Sequence, residues 1–484
     1  MSAPIVDAVA PPDARVVSPR SGEQSATRDG VADSRSGSDG SGGSGSTGAA
    51  EATATPWGAI SLSVAGVLLM AFVAFAAPND HTLDIAVSSL RLPKLPGPAS
   101  TYLTCAAIAA QGAGLIRMLA ANRRGWSPSP KRLVGLGAFG ALLLAVGTPV
   151  GSADTASYAA YGRIASLGLD PYRTLPGELG GSYAHLVGNN WLFTPSVYGP
   201  LATFVQQLAA DIGGSRLTLT ITVLMLANAA AYVLTGLVLV RMARDRSRAA
   251  LLWAANPLLL CLLVGGGHLD TYIALFSACA AYAALRVRES PASHEMVVGA
   301  LLGMACGVKI SAALVAVGLS WPLLREREWK RLIVRTVSCL VPLAVMYVPI
   351  GIHGLDPLSQ ASQLVSSPSV WALVDLLGRV TVGQGVTEAV ITLAWPVAML
   401  AMGWIFYRRT VGHPAELGLE QPRGAYALAL GWLLAAPWCM PWYAALVWPL
   451  AAVLPSRRRA DLLLTWFTLG LALFHNTGGH GWSW

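Results

Sequence analysis

Asp154 is the carboxylate that its place in the sequence singles out. It stands four residues beyond the apolar block Leu133 to Val150, in the run Gly151-Ser152-Ala153-Asp154-Thr155-Ala156-Ser157-Tyr158. A carboxylate just past a span lies at the lipid-water boundary, where a lipid-linked phosphate also resides. There it can accept the proton of a hydroxyl nucleophile. The same position suits the N-cap of a helix over Thr155 to Leu167, and the two roles are compatible. Aromatic residues follow: Tyr158, Tyr161 with Arg163, Tyr172 after Asp170-Pro171, and Tyr198 within Trp191 to Leu201. Tyr and Trp faces pack against sugar rings while their polar atoms and nearby charges hydrogen-bond hydroxyls. An interfacial aromatic belt is the plainer reading of these residues, but a belt does not require the Gly and Pro punctuation found here.

Further along, Gly265-Gly266-Gly267-His268-Leu269-Asp270 sets an imidazole and a carboxylate after three glycines, either as a hydrogen-bonded turn or as part of a site. Lys309 sits between two apolar segments in Gly307-Val308-Lys309-Ile310-Ser311. A lysine at that depth is costly unless it is paired, contacts an anion or snorkels to the interface. The remaining outward carboxylates have simpler readings. Asp170 and Asp356 each precede a proline and read as turn residues, and Asp80 and Asp84 read as solvated loop charges.

These residues are set among membrane helices. The chain of 484 residues is 54% hydrophobic and only 12% charged, against about 25% charged in soluble domains. Residues 56–484 read as one multi-spanning, all-α membrane domain of about thirteen helices. The spans lie near Trp57 to Ala77, Ser100 to Ala120 and Leu133 to Val150, followed by a main outward loop, residues 151–216. Then come Leu217 to Val240, Ala249 to Val264, Thr271 to Leu285, Met296 to Val308, Ile310 to Leu324, Leu332 to Ile350 and Glu388 to Tyr407. Tyr426 to Pro437, Trp442 to Leu454 and Leu462 to His475 complete the set. Three of these, Met296 to Val308, Tyr426 to Pro437 and Trp442 to Leu454, are short for a straight crossing. Short helices at membrane depth imply a cavity packed in protein.

The formal net charge of +8 does not point to nucleic acid, because the basic residues are scattered in short clusters between apolar blocks. Arg123-Arg124, Arg241 to Arg248, Arg325 to Arg335 and Arg457-Arg458-Arg459 mark cytoplasmic loops under the positive-inside rule. That places the N-terminus in the cytoplasm and the Asp154 loop on the other side of a cell membrane. Residues 1–55 contain no aromatic residue and no Leu, and read as a disordered cytoplasmic tail. The six cysteines lie in or beside apolar blocks without paired spacing, so neither a disulfide framework nor a zinc site is expected.

Several outward stretches together resemble the actinobacterial polyprenyl-phosphate-mannose-dependent α-1,6-mannosyltransferases, members of the GT-C class of membrane glycosyltransferases. They are Asp154 to Tyr158 with Tyr161-Gly162-Arg163 and Asp170-Pro171-Tyr172, then Thr194-Pro195-Ser196-Val197-Tyr198-Gly199-Pro200-Leu201. Asn256-Pro257-Leu258 with Gly265 to Asp270, and the later Pro441-Trp442-Tyr443, extend the likeness over the membrane portion, Trp57 to Trp484. Leu269 departs from it, standing where the family pattern has a polar residue, and two extra spans precede the loop.

The resemblance implies an inverting transfer of mannose from a polyprenyl-phosphate carrier to a mannose 6-hydroxyl of a glycolipid, as in the α-1,6-mannan backbone of lipomannan. Asp154 would be the base. Arg163, Lys309 and His268 are the cations available to the departing phosphate, and Tyr158, Tyr161, Tyr172, Tyr198, Asp270, Trp442 and Tyr443 complete the candidate donor and acceptor site. No metal or other cofactor is expected, since the sequence shows no compact carboxylate or His cluster. Two alternatives remain: a GT-C transferase for another sugar, and a flippase for lipid-linked sugars. The second predicts polar pairs deep within spans, whereas the polar chemistry gathers in the outward loops.

Overall fold

The computed structural model describes residues 54–90, 92–286, 291–361, 364–410 and 418–477. The tail expected over residues 1–55 lies outside the described residues except for its last two. Within them the protein is helical, and the only sheet-like pairing is an isolated bridge between Thr82 and Val150.

The apolar blocks become helices close to where the sequence puts them. Trp57–Phe75 carries no charge, and Gly97–Arg123 opens on Pro98, whose missing N–H costs nothing at a helix start. Pro130–Ala145 follows. Among the described residues five helices are long and apolar enough to cross a bilayer: Trp57–Phe75, Gly97–Arg123, Leu217–Met242, Arg246–Gly265 and Gln384–Arg409. A sixth is added if Trp329–Tyr347 and Ile352–Leu358, bent by 107°, count as one span. Asp270–Leu285, Ala292–Val308, Ile310–Arg325 and Pro441–Val453 are shorter apolar helices. Length and composition therefore support a multi-pass membrane protein with fewer unambiguous crossings than the thirteen read from hydropathy.

The shortfall has local causes. Arg246–Gly265 ends in a π-helical turn over Leu260–Gly265. Lys309 is extended between Pro291–Val308 and the 3-10 turn Ile310–Ala312. The expected span Trp442 to Leu454 is a 3-10 turn, Pro441–Leu446, followed by the short helix Trp448–Val453. Broken helices persist at membrane depth where protein or a cavity satisfies the freed backbone groups. The stretch between the expected spans Leu332 to Ile350 and Glu388 to Tyr407 holds the amphipathic helix Val370–Thr381, none of whose residues is buried. Its Val370, Leu373, Leu376, Leu377 and Val380 are exposed, as in a helix lying at a membrane surface.

Helix contacts rely on small residues, because lipid offers no hydrophobic drive between apolar helices. A side chain on Gly162 would run into the Gln206 carbonyl, which fixes how closely Asp154–Ser166 packs on Pro200–Gly213. Ala313–Arg325 and Glu420–Ala435 meet at Gly318 and Gly424. Outward, Leu340, Val341 and Val345 on one helix and Leu393, Val397 and Leu400 on another stay exposed, as lipid-facing side chains do. Two buried ion clusters tie the bundle together. Glu295 holds Arg331 and Arg335, and Asp461 holds Arg248.

Candidate active site

The helix Asp154–Ser166 begins at Asp154 itself, one residue earlier than expected. Its N-cap is Ala153, which makes no side-chain cap bond. The Asp154 carboxylate is therefore not a cap, and its backbone N–H instead donates to Ser152 Oγ at 3.1 Å. Asp154 Oδ2 accepts from the Tyr158 hydroxyl at 3.2 Å, one helical turn on. His268 Nδ1 approaches the same oxygen to 3.3 Å, off the axis of a hydrogen bond. The carboxylate stays 17% exposed, and the exposed part lines a cavity of about 400 Å³.

His268 reaches Asp154 because the glycines before it let the chain fold tightly. Gly267 has φ +72, and a side chain there would collide with Thr155 Oγ1. Thr155 Oγ1 in turn donates to the Gly266 carbonyl at 3.2 Å, which fastens this turn to the Asp154 helix. The imidazole stacks on Trp442, with ring centres 3.7 Å apart and planes 14° apart. His475 meets the same indole edge-on at 5.2 Å and contacts the Gly151 carbonyl through Nε2 at 2.9 Å.

Burial by itself pushes the Asp154 carboxyl up. The His268 ring and the Lys309 ammonium more than offset it and hold the group below the ordinary aspartate value. The carboxylate is ionised at neutral pH. Burial, reinforced by the Asp154 charge, pushes the Tyr158 and Tyr198 phenols well up, so both remain protonated donors.

Lys309 supplies the cation of the cavity. Its Nζ lies 3.2 Å from Asp270 Oδ1 and 3.9 Å from the centre of the Tyr443 ring, and it is 16% exposed. Pairing with Asp270 is what satisfies this lysine, and its remaining donor capacity faces the cavity. Tyr443 is itself stacked on Trp432 at 5.3 Å.

The candidate residues therefore fall into three groups. Asp154, Tyr198, Lys309, Trp442 and Tyr443 line the cavity. Tyr158, Tyr161, His268 and Asp270 stand behind them as supports. Tyr158 packs edge-on against Tyr198 at 5.0 Å, and Tyr161 donates to the Thr194 carbonyl at 2.9 Å. Arg163 and Tyr172 lie elsewhere. Nine residues along the helix carry Arg163 about 13 Å from Asp154, and its guanidinium sits over the Tyr183 ring. Tyr172 bonds Thr203 in a separate apolar groove. Asn256, part of the motif Asn256-Pro257-Leu258, caps the short helix Pro257–Leu259.

Sequence reasoning missed Trp395, Trp432, Trp438 and His475, which also line the cavity. Trp438 had a usable signal, since it follows Pro437 and stands just before Pro441-Trp442. Nothing local marks Trp395, Trp432 or His475, which sit within apolar helices. Among the described residues no group of three or more His, Cys, Asp or Glu is close enough to hold a metal ion.

A helical membrane fold that brings a carboxylate, a paired lysine and an aromatic wall to one cavity suits a membrane glycosyltransferase. The chain belongs to the family described as "Alpha-(1->6)-mannopyranosyltransferase, N-terminal domain", whose profile matches residues 60–325. It is 28% identical over 381 residues to alpha-(1->6)-mannopyranosyltransferase A of Mycobacterium tuberculosis, covering 71% of this chain and 69% of that one. It is also 28% identical over 384 residues to a probable alpha-(1->6)-mannopyranosyltransferase of Mycolicibacterium smegmatis, with 66% and 65% covered. A Corynebacterium glutamicum alpha-(1->6)-mannopyranosyltransferase A is 26% identical over 178 residues, 36% of this chain and 35% of that one. The chain thus spans about two thirds of the length of the two mycobacterial relatives. No solved structure matches it.

Proposed function

We propose that this protein transfers mannose from a polyprenyl-phosphate carrier to a mannose 6-hydroxyl of a glycolipid, with inversion, on the non-cytoplasmic face of the membrane. The observation that carries the reading is the Asp154 carboxylate: uncapped, ionised, and exposed to an aromatic cavity that also presents Lys309. Asp154 accepts the acceptor hydroxyl's proton as the new C–O bond forms. The bond from the anomeric carbon to the phosphate oxygen breaks on the opposite face. Lys309, steadied by Asp270 and Tyr443, stabilises the charge that the departing phosphate gains. Trp395, Trp432, Trp438 and Trp442 give the sugar rings apolar faces to pack on.

The lipid part of the donor lies in a second space. An apolar groove of about 1190 Å³ runs from Met296 to Ile350, bordered by Pro200 and Leu201. Tyr198, two residues before Pro200, lines the catalytic cavity, so a single short segment separates the two spaces. The family relationship supports mannose and the α-1,6 linkage. The acceptor class, a growing mannan on a lipid anchor, and the GT-C arrangement with the tail in the cytoplasm belong to the same reading.

The test is transfer of radiolabelled mannose from polyprenyl-phosphate mannose by the reconstituted full chain, with linkage analysis of the product. Wild type should form an α-1,6 product, and Asp154→Asn should lower the rate about 100- to 10,000-fold. Near-normal turnover by that variant would remove Asp154 from the base role.

A further inference from the structure

A second cavity, of about 490 Å³, adjoins the catalytic one. The two share Ala153 and Gly188 in their walls. Ala153 is the residue immediately before the base, so the spaces meet on Asp154's side. Asp154, Lys309 and Tyr443 line the catalytic cavity alone, and the shared wall reaches the base through its neighbour Ala153.

The second cavity is built differently from the first. Where the catalytic cavity is walled by indoles, this one presents Asp80, Asp84, Lys94 and His185. Asp84, Lys94 and His185 are exposed and Asp80 is half-buried. Among the described residues neither Asp80 nor Asp84 enters an ion pair, and Asp80 Oδ2 lies against Gly97. Carboxylates accept from paired hydroxyls, and a lysine or histidine donates to hydroxyl and ring oxygens. The volume is in the range that small-molecule sites occupy. These residues come from two segments, 78–94 and 185–188, both outside the apolar helices.

The direction of the reaction decides which substrate such a cavity can serve. In an inverting displacement the nucleophile and the leaving group lie on opposite faces of the anomeric carbon. The acceptor therefore comes from the side of the base, and the lipid phosphate leaves toward Lys309. A hydroxyl-binding space entered beside Asp154 lies on the acceptor's path.

We infer that this cavity is an acceptor subsite for the sugar that precedes the one being extended, a neutral hexose of an oligosaccharide chain. The inference rests on the reading of the Asp154 cavity as the site of transfer, and goes beyond it by assigning selection of acceptor length to Asp80, Asp84 and His185. The reacting mannose sits among the tryptophans, and its neighbour in the chain is held by the carboxylates. The enzyme accordingly prefers an acceptor of at least two sugars.

The experiment compares octyl α-mannoside with octyl α-1,6-mannobioside as acceptors for the full chain, using radiolabelled polyprenyl-phosphate mannose as donor. Wild type should show a KM for the disaccharide at least tenfold below that for the monosaccharide. Asp80→Asn with Asp84→Asn should erase that difference by raising the disaccharide KM, while kcat on either acceptor changes less than twofold. His185→Ala, on a separate segment, should do the same in part. Equal KM values in the wild type, or variants that affect both acceptors alike, would overturn the subsite and leave the transfer reading standing. Transfer to neither acceptor by the wild type would overturn the transfer reading, and this inference with it.

Discussion

The acidity of Asp154 is set by residues far from it in the chain. His268 is the first of the groups that lower it and Lys309 the next, and both act against the effect of burial. A carboxyl held below its unfolded value adds stability above that value and loses it as pH falls through the folded one. The same sign governs activity: transfer should persist on the acid side until below roughly pH 3.9, the ordinary aspartate value. His268→Ala removes the largest opposing influence, so the acidic limb of the kcat/KM profile should move upward. An unmoved limb would show that the imidazole only fills space against Trp442. Lys309→Met tests the other partner. It should slow transfer about 100-fold or more, as loss of one donor to a developing anion does, measured under single-turnover conditions.

Helices and their breaks decide which of these residues meet. The extended residue Lys309, the 3-10 turn Pro441–Leu446 and the helix start at Asp154 all contribute to one cavity. Gly199 sits at the wall between that cavity and the apolar groove, and a side chain there would run into the Gly307 carbonyl. Gly199→Val should therefore separate Pro200 from the end of Pro291–Val308 and cost about 1–3 kcal/mol by overpacking, seen as a lower melting temperature in detergent. Far from the cavity, Glu295 is fully buried and bonds both Arg331 and Arg335, the latter only 1% exposed. Glu295→Gln leaves a buried guanidinium without its counter-charge, and about 3–5 kcal/mol of stability should be lost. Equal melting of that variant and the wild type would mean that Gln421 and the Leu319 carbonyl suffice for Arg335.

Across the whole molecule, the positive-inside pattern predicts that the Asp154 loop faces outward, and this can be measured directly. In a background without the native cysteines, Leu90→Cys should react with a membrane-impermeant maleimide in intact cells, whereas Arg459→Cys should react only after permeabilisation. The reverse pattern would put the base on the cytoplasmic side. The sequence by itself determined the membrane class and the principal apolar helices, and it singled out Asp154 as a candidate, because hydropathy, charge clustering and a carboxylate next to a span are local features of the chain. It left Asp154 divided between cap and base and Lys309 between snorkelling and contact, because a side chain's partner lies on another helix. Tertiary structure removed the cap, since the helix begins at Asp154 itself, and it brought His268 to the carboxylate and Asp270 to the lysine. It also collected Trp395, Trp432 and His475 from helices whose sequences read only as apolar. A spacing pattern records which face a residue occupies on its own helix. Which faces meet depends on where small residues let helices approach, and that is fixed only when the bundle packs.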